Sequence, residues 1–79
     1  MKARFLVRRS SDGAVVPEPY FKCDNVLEER MRAALASIAS SDEGLRVDTI
    51  EFYGEYLPED VCERIFGQAA QLVAAFHLG

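Results

Sequence analysis

Carboxylates are the residues of this 79-residue chain whose number and spacing best suit a chemical role. The stretch from Asp42 to Glu63 holds eight of them against a single base, Arg46, which gives a net charge of −7 in 22 residues. Three aromatic residues lie among these charges. Such a mixture favours charge-assisted binding around aromatic anchors over bond-making chemistry. The predicted partner-binding residues are Asp48, Glu51, Tyr53, Glu55, Tyr56, Glu59, Asp60 and Glu63.

The spacing of this acidic set predicts a rigid surface. If the chain stays extended, Glu51 and Glu55 lie about 13 Å apart with Tyr53 between them on the same side. Duplex DNA carries about 15 phosphate charges over roughly 25 Å, so the stretch imitates nucleic acid only in part, against a local cluster of lysines or arginines. The alternative is a solvated face, because Glu59 and Asp60 are ordinary residues at the start of a helix.

Catalytic and metal-binding motifs are not visible. The single histidine, His77, lies on an apolar helix tail without a nucleophile beside it in sequence. One histidine with Cys23 and Cys62 does not have the spacing of a zinc site, and Asp42-Glu43 lacks the alternating ligands of a calcium loop. The cysteines are expected to be free buried thiols, with a bridge between them as the alternative. We therefore expect no enzyme, no cofactor and no metal.

Bases gather in the N-terminal part of the chain. Residues 1–32 carry a net charge of +2 and residues 33–79 a net charge of −6, which predicts a polarised surface. A basic set could contact phosphates if a hairpin exposes it on one face: Lys2, Arg4, Arg8, Arg9 and Lys22. Its first four members, Lys2, Arg4, Arg8 and Arg9, are the alternative nucleic-acid-binding site. The competing interpretation is a solvated sheet face whose charges discourage aggregation.

A hairpin and an edge strand are predicted to position these bases. Lys2 to Arg8 alternates apolar and polar residues, as a half-buried strand does. Asp12-Gly13 suits the positive φ angles of a hairpin turn, which leads into a second strand at 14–16. Pro17 and Pro19 then make that strand an edge or interrupt it, with 20–23 as its continuation.

A helix is predicted to follow the second strand. Asn25 as N-cap, with Glu28 three residues later, predicts a helix to about Ser40. Its buried stripe comprises Leu27, Met31, Ala34, Leu35 and Ile38.

The third strand spans 45–53, and its alternation changes parity. Either both faces of the strand are partly covered, or a bulge near Asp48-Thr49 resets the alternation. We expect Ile50 and Phe52 to face inward. Pro58 suits the first position of a second helix. That helix runs almost to the C-terminus on an apolar stripe, which comprises Val61, Ile65, Ala69, Leu72, Val73 and Phe76.

These elements predict one domain over residues 1–79 with an α+β fold of order ββαβα. Two helices pack on one face of a three-stranded, mainly antiparallel sheet. The longest apolar run near the N-terminus is too short for a signal peptide, and no window is long enough to span a membrane, so we expect a cytoplasmic protein.

In size, acidity and format the chain resembles the small anti-CRISPR proteins that phages and prophages make against type I systems. The residues that carry the resemblance are those of the segment DEGLRVDTIEFYGEYLPEDVCE. The resemblance implies an inhibitor that binds a protein partner with a basic groove, such as a Cas complex subunit, without contacting nucleic acid or membrane. The protein is expected to be a monomer or weak homodimer, and the alternatives are the nucleic-acid-binding module and a structural homo-oligomer subunit.

Overall fold

Four antiparallel strands and two helices build an α+β fold, as predicted. A computed structural model describes residues 1–79. The elements are β1 (Lys2–Arg9), β2 (Val15–Val16), β3 (Phe21–Lys22), α1 (Leu27–Ala39), β4 (Leu45–Tyr53) and α2 (Glu59–Ala75). The sheet has four strands where the sequence predicted three, because the expected edge strand is divided into β2 and β3.

β1 is the central strand of the sheet. β4 pairs with one of its edges over the whole length of β1, and β2 and β3 share the other edge at opposite ends. Pro17 and Pro19 lie between β2 and β3, where the lack of a backbone N–H breaks the ladder. The predicted interruption of the edge strand is therefore confirmed.

A five-residue connection, residues 10–14, joins β1 to β2. The Arg9 N–H donates to Ala14 O at 2.8 Å and the Gly13 N–H donates to Arg9 O at 2.8 Å. Gly13 alone adopts a positive φ, 72°. Asp12 was also expected in that conformation, but its carboxylate instead accepts the Ala14 N–H at 3.1 Å.

The predicted bulge lies in β4. Leu6 pairs with Thr49 and Val7 with Val47, so Asp48 is the extra residue. The bulge resets the alternation, which lets Val47 and Ile50 both point toward the core although they are three positions apart and would face opposite sides of a regular strand. The parity change in the sequence is thereby explained.

Both helices cover one face of the sheet. The buried cluster is formed by the inward-facing residues of β1 and β4 and by one stripe of each helix, as predicted, together with Leu78 from the C-terminal tail. Its twelve buried members are Ala3, Phe5, Val7, Met31, Leu35, Ile38, Val47, Ile50, Ile65, Ala69, Leu72 and Leu78. The opposite side of the sheet, called here the outer face, is covered by no element and carries Lys2, Arg4, Leu6 and Arg8 from β1.

The helix starts differ from the predicted caps by a residue or two. The acceptor of the Val26 N–H, at 3.1 Å before α1, is the Asp24 carboxylate and not the side-chain amide of the predicted cap Asn25. Asp24 also accepts two hydrogen bonds from Arg30, at 2.8 and 3.1 Å, which fixes it at the start of the helix. Pro58 precedes α2 as its N-cap instead of occupying the first helical position.

The C-terminus folds back onto the sheet. The Leu78 N–H donates to Val73 O and the His77 N–H to Ala74 O, both at 3.1 Å, which is a Schellman motif with His77 at φ 58°. Leu78 enters the core, and its carbonyl accepts the Val47 N–H at 2.7 Å. This tail therefore covers part of the edge of β4 that β1 leaves open.

Candidate binding surfaces

The carboxylates of β4 are paired with arginines on the outer face. Register places Arg4 beside Glu51, and the Arg4 guanidinium donates to that carboxylate. Arg8 donates to Asp48 at 2.6 Å, and Arg46 lies 3.9 Å from the same carboxylate. The hydrogen bond to Glu51 raises the pKa of Arg4 above its ordinary value. These charges are neutralised within the fold.

Glu55 does not continue the line of Glu51 and Tyr53. β4 ends at Tyr53, and Gly54 has a φ of 112°, a conformation that turns the chain and disfavours any side chain. Since the extended geometry ends there, the expected 13 Å spacing with Tyr53 midway is not realised. Glu55 belongs with the residues that follow.

Four carboxylates after Gly54 have no internal partner. We call the residues from Glu55 to Glu63 the acidic segment; its carboxylates are Glu55, Glu59, Asp60 and Glu63. All four are exposed, and none lies within 4.0 Å of a basic nitrogen. Tyr56 is 88% exposed among them. Leu57 and Val61 face the core and hold this segment to the domain.

The eight predicted partner-binding residues therefore occupy two layers. Asp48, Glu51 and Tyr53 lie on the outer face of the sheet. Glu59, Asp60 and Glu63 lie on the solvent side of α2, which packs on the other face, and Glu55 and Tyr56 lie in the connection. The predicted residues divide into a neutralised group and an unpaired group.

The alternative basic site is also largely engaged by the fold. Besides the contacts of Arg4 and Arg8, Arg9 lies 3.3 Å from Asp12 and 3.8 Å from Glu43. Lys2 is exposed and has no ion pair. Of the four predicted bases, Lys2 alone presents an uncompensated charge.

A pair of tyrosines lies on the outer face. The rings of Tyr20 and Tyr53 are 5.6 Å apart, and the Arg4 guanidinium lies 4.6 Å from the centre of the Tyr20 ring. Tyr20 was not among the predicted site residues, whereas Lys22 belongs to the basic set that the sequence offered for phosphate contacts. The sequence signal for Tyr20 was its place next to Phe21. The Phe21 ring packs on Phe5 in the core. Because side chains alternate along a strand, the two neighbours of Phe21, Tyr20 and Lys22, face outward.

The cysteines and the largest cavity are the remaining features that could take part in chemistry. Cys23 and Cys62 are free and half-buried, and burial raises the pKa of the Cys23 thiol, which keeps it protonated and weakly nucleophilic. No group of three or more histidine, cysteine or acidic side chains is placed to hold a metal ion. The largest cavity, about 380 Å³ between β4 and α2, is lined mainly by apolar residues.

Comparison with known proteins gives no match to a family model, to a curated protein or to a solved structure. Neither helix has the length and apolar character that crossing a membrane requires.

Proposed function

We propose that the protein is a non-enzymatic inhibitor that binds a partner through the acidic segment and blocks a basic, nucleic-acid-binding site. The observation that carries the proposal is the run of four unpaired carboxylates from Glu55 to Glu63, with Tyr56, which is 88% exposed, among them in sequence. Tyrosine is enriched where interfaces form, because its ring supplies a large apolar area and its hydroxyl a polar contact. Here the tyrosine belongs to the acidic segment, in which every charged residue is negative.

Unpaired carboxylates are better placed than paired ones to meet a cationic partner. Lysines and arginines that approach Asp48 or Glu51 compete with Arg8 or Arg4. The acidic segment requires no such exchange, so its charges contribute fully to long-range attraction and to charge-assisted hydrogen bonds.

The charge density of the helix start matches nucleic acid locally. Glu59, Asp60 and Glu63 lie within five residues of α2, about 6 Å along the axis. Duplex DNA carries between three and four charges over the same length. The imitation therefore extends over one helical turn and fits a small cluster of lysines or arginines, not a long DNA-binding channel.

The resemblance to small anti-CRISPR proteins suggests which partner to test first. A type I surveillance complex holds its target DNA on lysines and arginines, and we propose that the acidic segment occupies part of that surface. The experiment is displacement of labelled target DNA from a purified type I complex.

Two triple variants separate the acidic segment from acidity in general. Replacing Glu55, Glu59 and Glu63 by lysine should abolish displacement. The control replaces Glu18, Glu29 and Asp42, which are also without an ion pair, by lysine. This change alters the net charge by the same amount and should leave most of the displacement of DNA. Failure of the wild type to displace DNA would refute the type I partner, and equal loss in both triples would refute the assignment to this segment.

A further inference from the structure

The outer face has a charge opposite to that of the whole chain. Its side chains are identified by register with β1 and by the buried residues that alternate with them. Five bases and two acids share this face: Lys2, Arg4, Arg8, Lys22, Arg46, Asp48 and Glu51. The face therefore has a net charge of +3 on a protein whose net charge is −4.

Two unpaired lysines lie side by side on this face. Lys2 of β1 is directly opposite Lys22 of β3 on one side and Tyr53 of β4 on the other. Neighbouring strands are about 4.8 Å apart, so the row of three residues spans about 10 Å. Like charges directly opposite one another destabilise a sheet, and neither lysine has a carboxylate partner. An anion bound between them would relieve that repulsion.

The tyrosines beside the lysines are held in place and remain exposed. Tyr20 donates a hydrogen bond to Glu51 at 3.4 Å and stacks under the Arg4 guanidinium, so its ring orientation is fixed. Tyr53 packs against Tyr20 and is 66% exposed, and Tyr20 itself is 38% exposed. Rigid aromatic faces next to lysines are the arrangement on which unpaired bases stack while their phosphates meet the positive charges.

We propose that this surface, which we call the tyrosine platform (Lys2, Tyr20, Lys22 and Tyr53), binds single-stranded nucleic acid. The lysines contact phosphates and Tyr53 stacks on a base. A duplex hides the faces of its bases and offers the platform phosphates only, so single strands are preferred. The platform lies on the outer face of the sheet, whereas the acidic segment lies beyond the end of β4, so the two surfaces are tested with separate substitutions.

The test is fluorescence anisotropy with labelled single strands of about ten nucleotides, DNA and RNA, at low salt, with a duplex of the same sequence for comparison. We expect the single strands to bind more tightly than the duplex. Tyr53→Ala should weaken binding about tenfold through lost stacking, and Tyr53→Phe should restore it because the ring remains. Lys2→Glu and Lys22→Glu should each weaken binding, and Lys22→Ala should lower the salt slope by about 0.7.

Matched controls lie outside the platform. Tyr56→Ala removes a more exposed tyrosine, and Arg64→Glu reverses another base without an ion pair; both should leave affinity unchanged. The proposal is overturned if single strands do not bind, if the duplex binds as well, or if Arg64→Glu weakens binding as much as Lys22→Glu. Binding of an acidic polypeptide such as poly-glutamate, with none of single-stranded DNA or RNA, would assign the surface to a protein partner instead.

Discussion

The two halves of the acidic stretch differ in what the fold does with their charges. In β4 the carboxylates lie opposite the arginines of β1, and Asp48 and Glu51 are paired across the sheet. In the acidic segment, which begins four residues after Glu51, the carboxylates have no basic neighbour within ion-pair distance. The same residue type therefore serves the fold in the first half and remains available to a partner in the second.

The aromatic residues follow the same division. Tyr53 packs against Tyr20 on a fixed surface, whereas Tyr56, three residues later, has no aromatic neighbour and is almost fully exposed. Gly54 separates the two regions. Proximity in sequence thus conceals two surfaces of opposite net charge.

The strongest test of this comparison is truncation of one side chain in each region. Ile50→Ala removes most of a side chain that is buried in the core, and it should lower the free energy of unfolding by about 2–5 kcal/mol. Tyr56→Ala should change it by less than about 0.5 kcal/mol, since the ring contacts solvent. Urea denaturation followed by circular dichroism measures both, and comparable losses would mean that the acidic segment is part of the structural core.

The junction between the regions should be the next most sensitive position. At Gly54 the φ of 112° penalises any side chain, so Gly54→Ala should cost about 1–3 kcal/mol. Gly67→Ala is the control: a Cβ there meets nothing within 4 Å, and the helix interior should gain about 0.5–1 kcal/mol. A neutral result at Gly54 would indicate that the turn relaxes easily and that the two regions are not held apart by it.

Charge reversal should have opposite effects in the two regions. Glu51→Lys places a second cation against Arg4 and should lower the melting temperature, whereas Glu55→Lys should leave it unchanged or raise it by reducing repulsion within the acidic segment. Exchanging the partners, Arg4→Glu with Glu51→Arg, should recover the loss. If the exchange recovers nothing, the pair contributes no stability and the comparison rests on geometry alone.

The smallest expected effect is the pH dependence of stability that comes from Asp24. Like the carboxylates of β4, Asp24 is paired with an arginine, Arg30. The hydrogen bonds from Arg30 hold the pKa of Asp24 below its ordinary value. A depressed pKa means that the ionised form stabilises the fold at pH values above the ordinary value, about 4, and that this contribution is lost as the pH falls through the depressed pKa.

Asp24→Asn keeps an acceptor for the Val26 N–H and removes the charge. Its melting temperature should lie below that of the wild type at pH 7, and the difference should shrink as the pH falls below about 4. Glu29→Gln, on an exposed carboxylate without an ion pair, should show no such difference. A gap that stays constant with pH would assign the effect to shape and not to charge.

The sequence by itself determined the elements and their buried faces. Alternation in β1, the stripes of both helices and the parity change in β4 are local patterns, because burial on one side of a strand or helix imposes its period on consecutive residues. The two prolines determined the interruption of the edge strand in the same way, through the missing N–H. These predictions needed no information about which element meets which.

Only the tertiary structure decided which charges are free. Arg4 and Glu51 are 47 residues apart and Arg8 and Asp48 are 40 apart, so their pairing depends on the register between β1 and β4, which core packing and one bulge set together. Tyr20 meets Tyr53 for the same reason. Charge composition describes a segment, but ion pairing is a property of strand register, and a one-residue shift would have paired a different set.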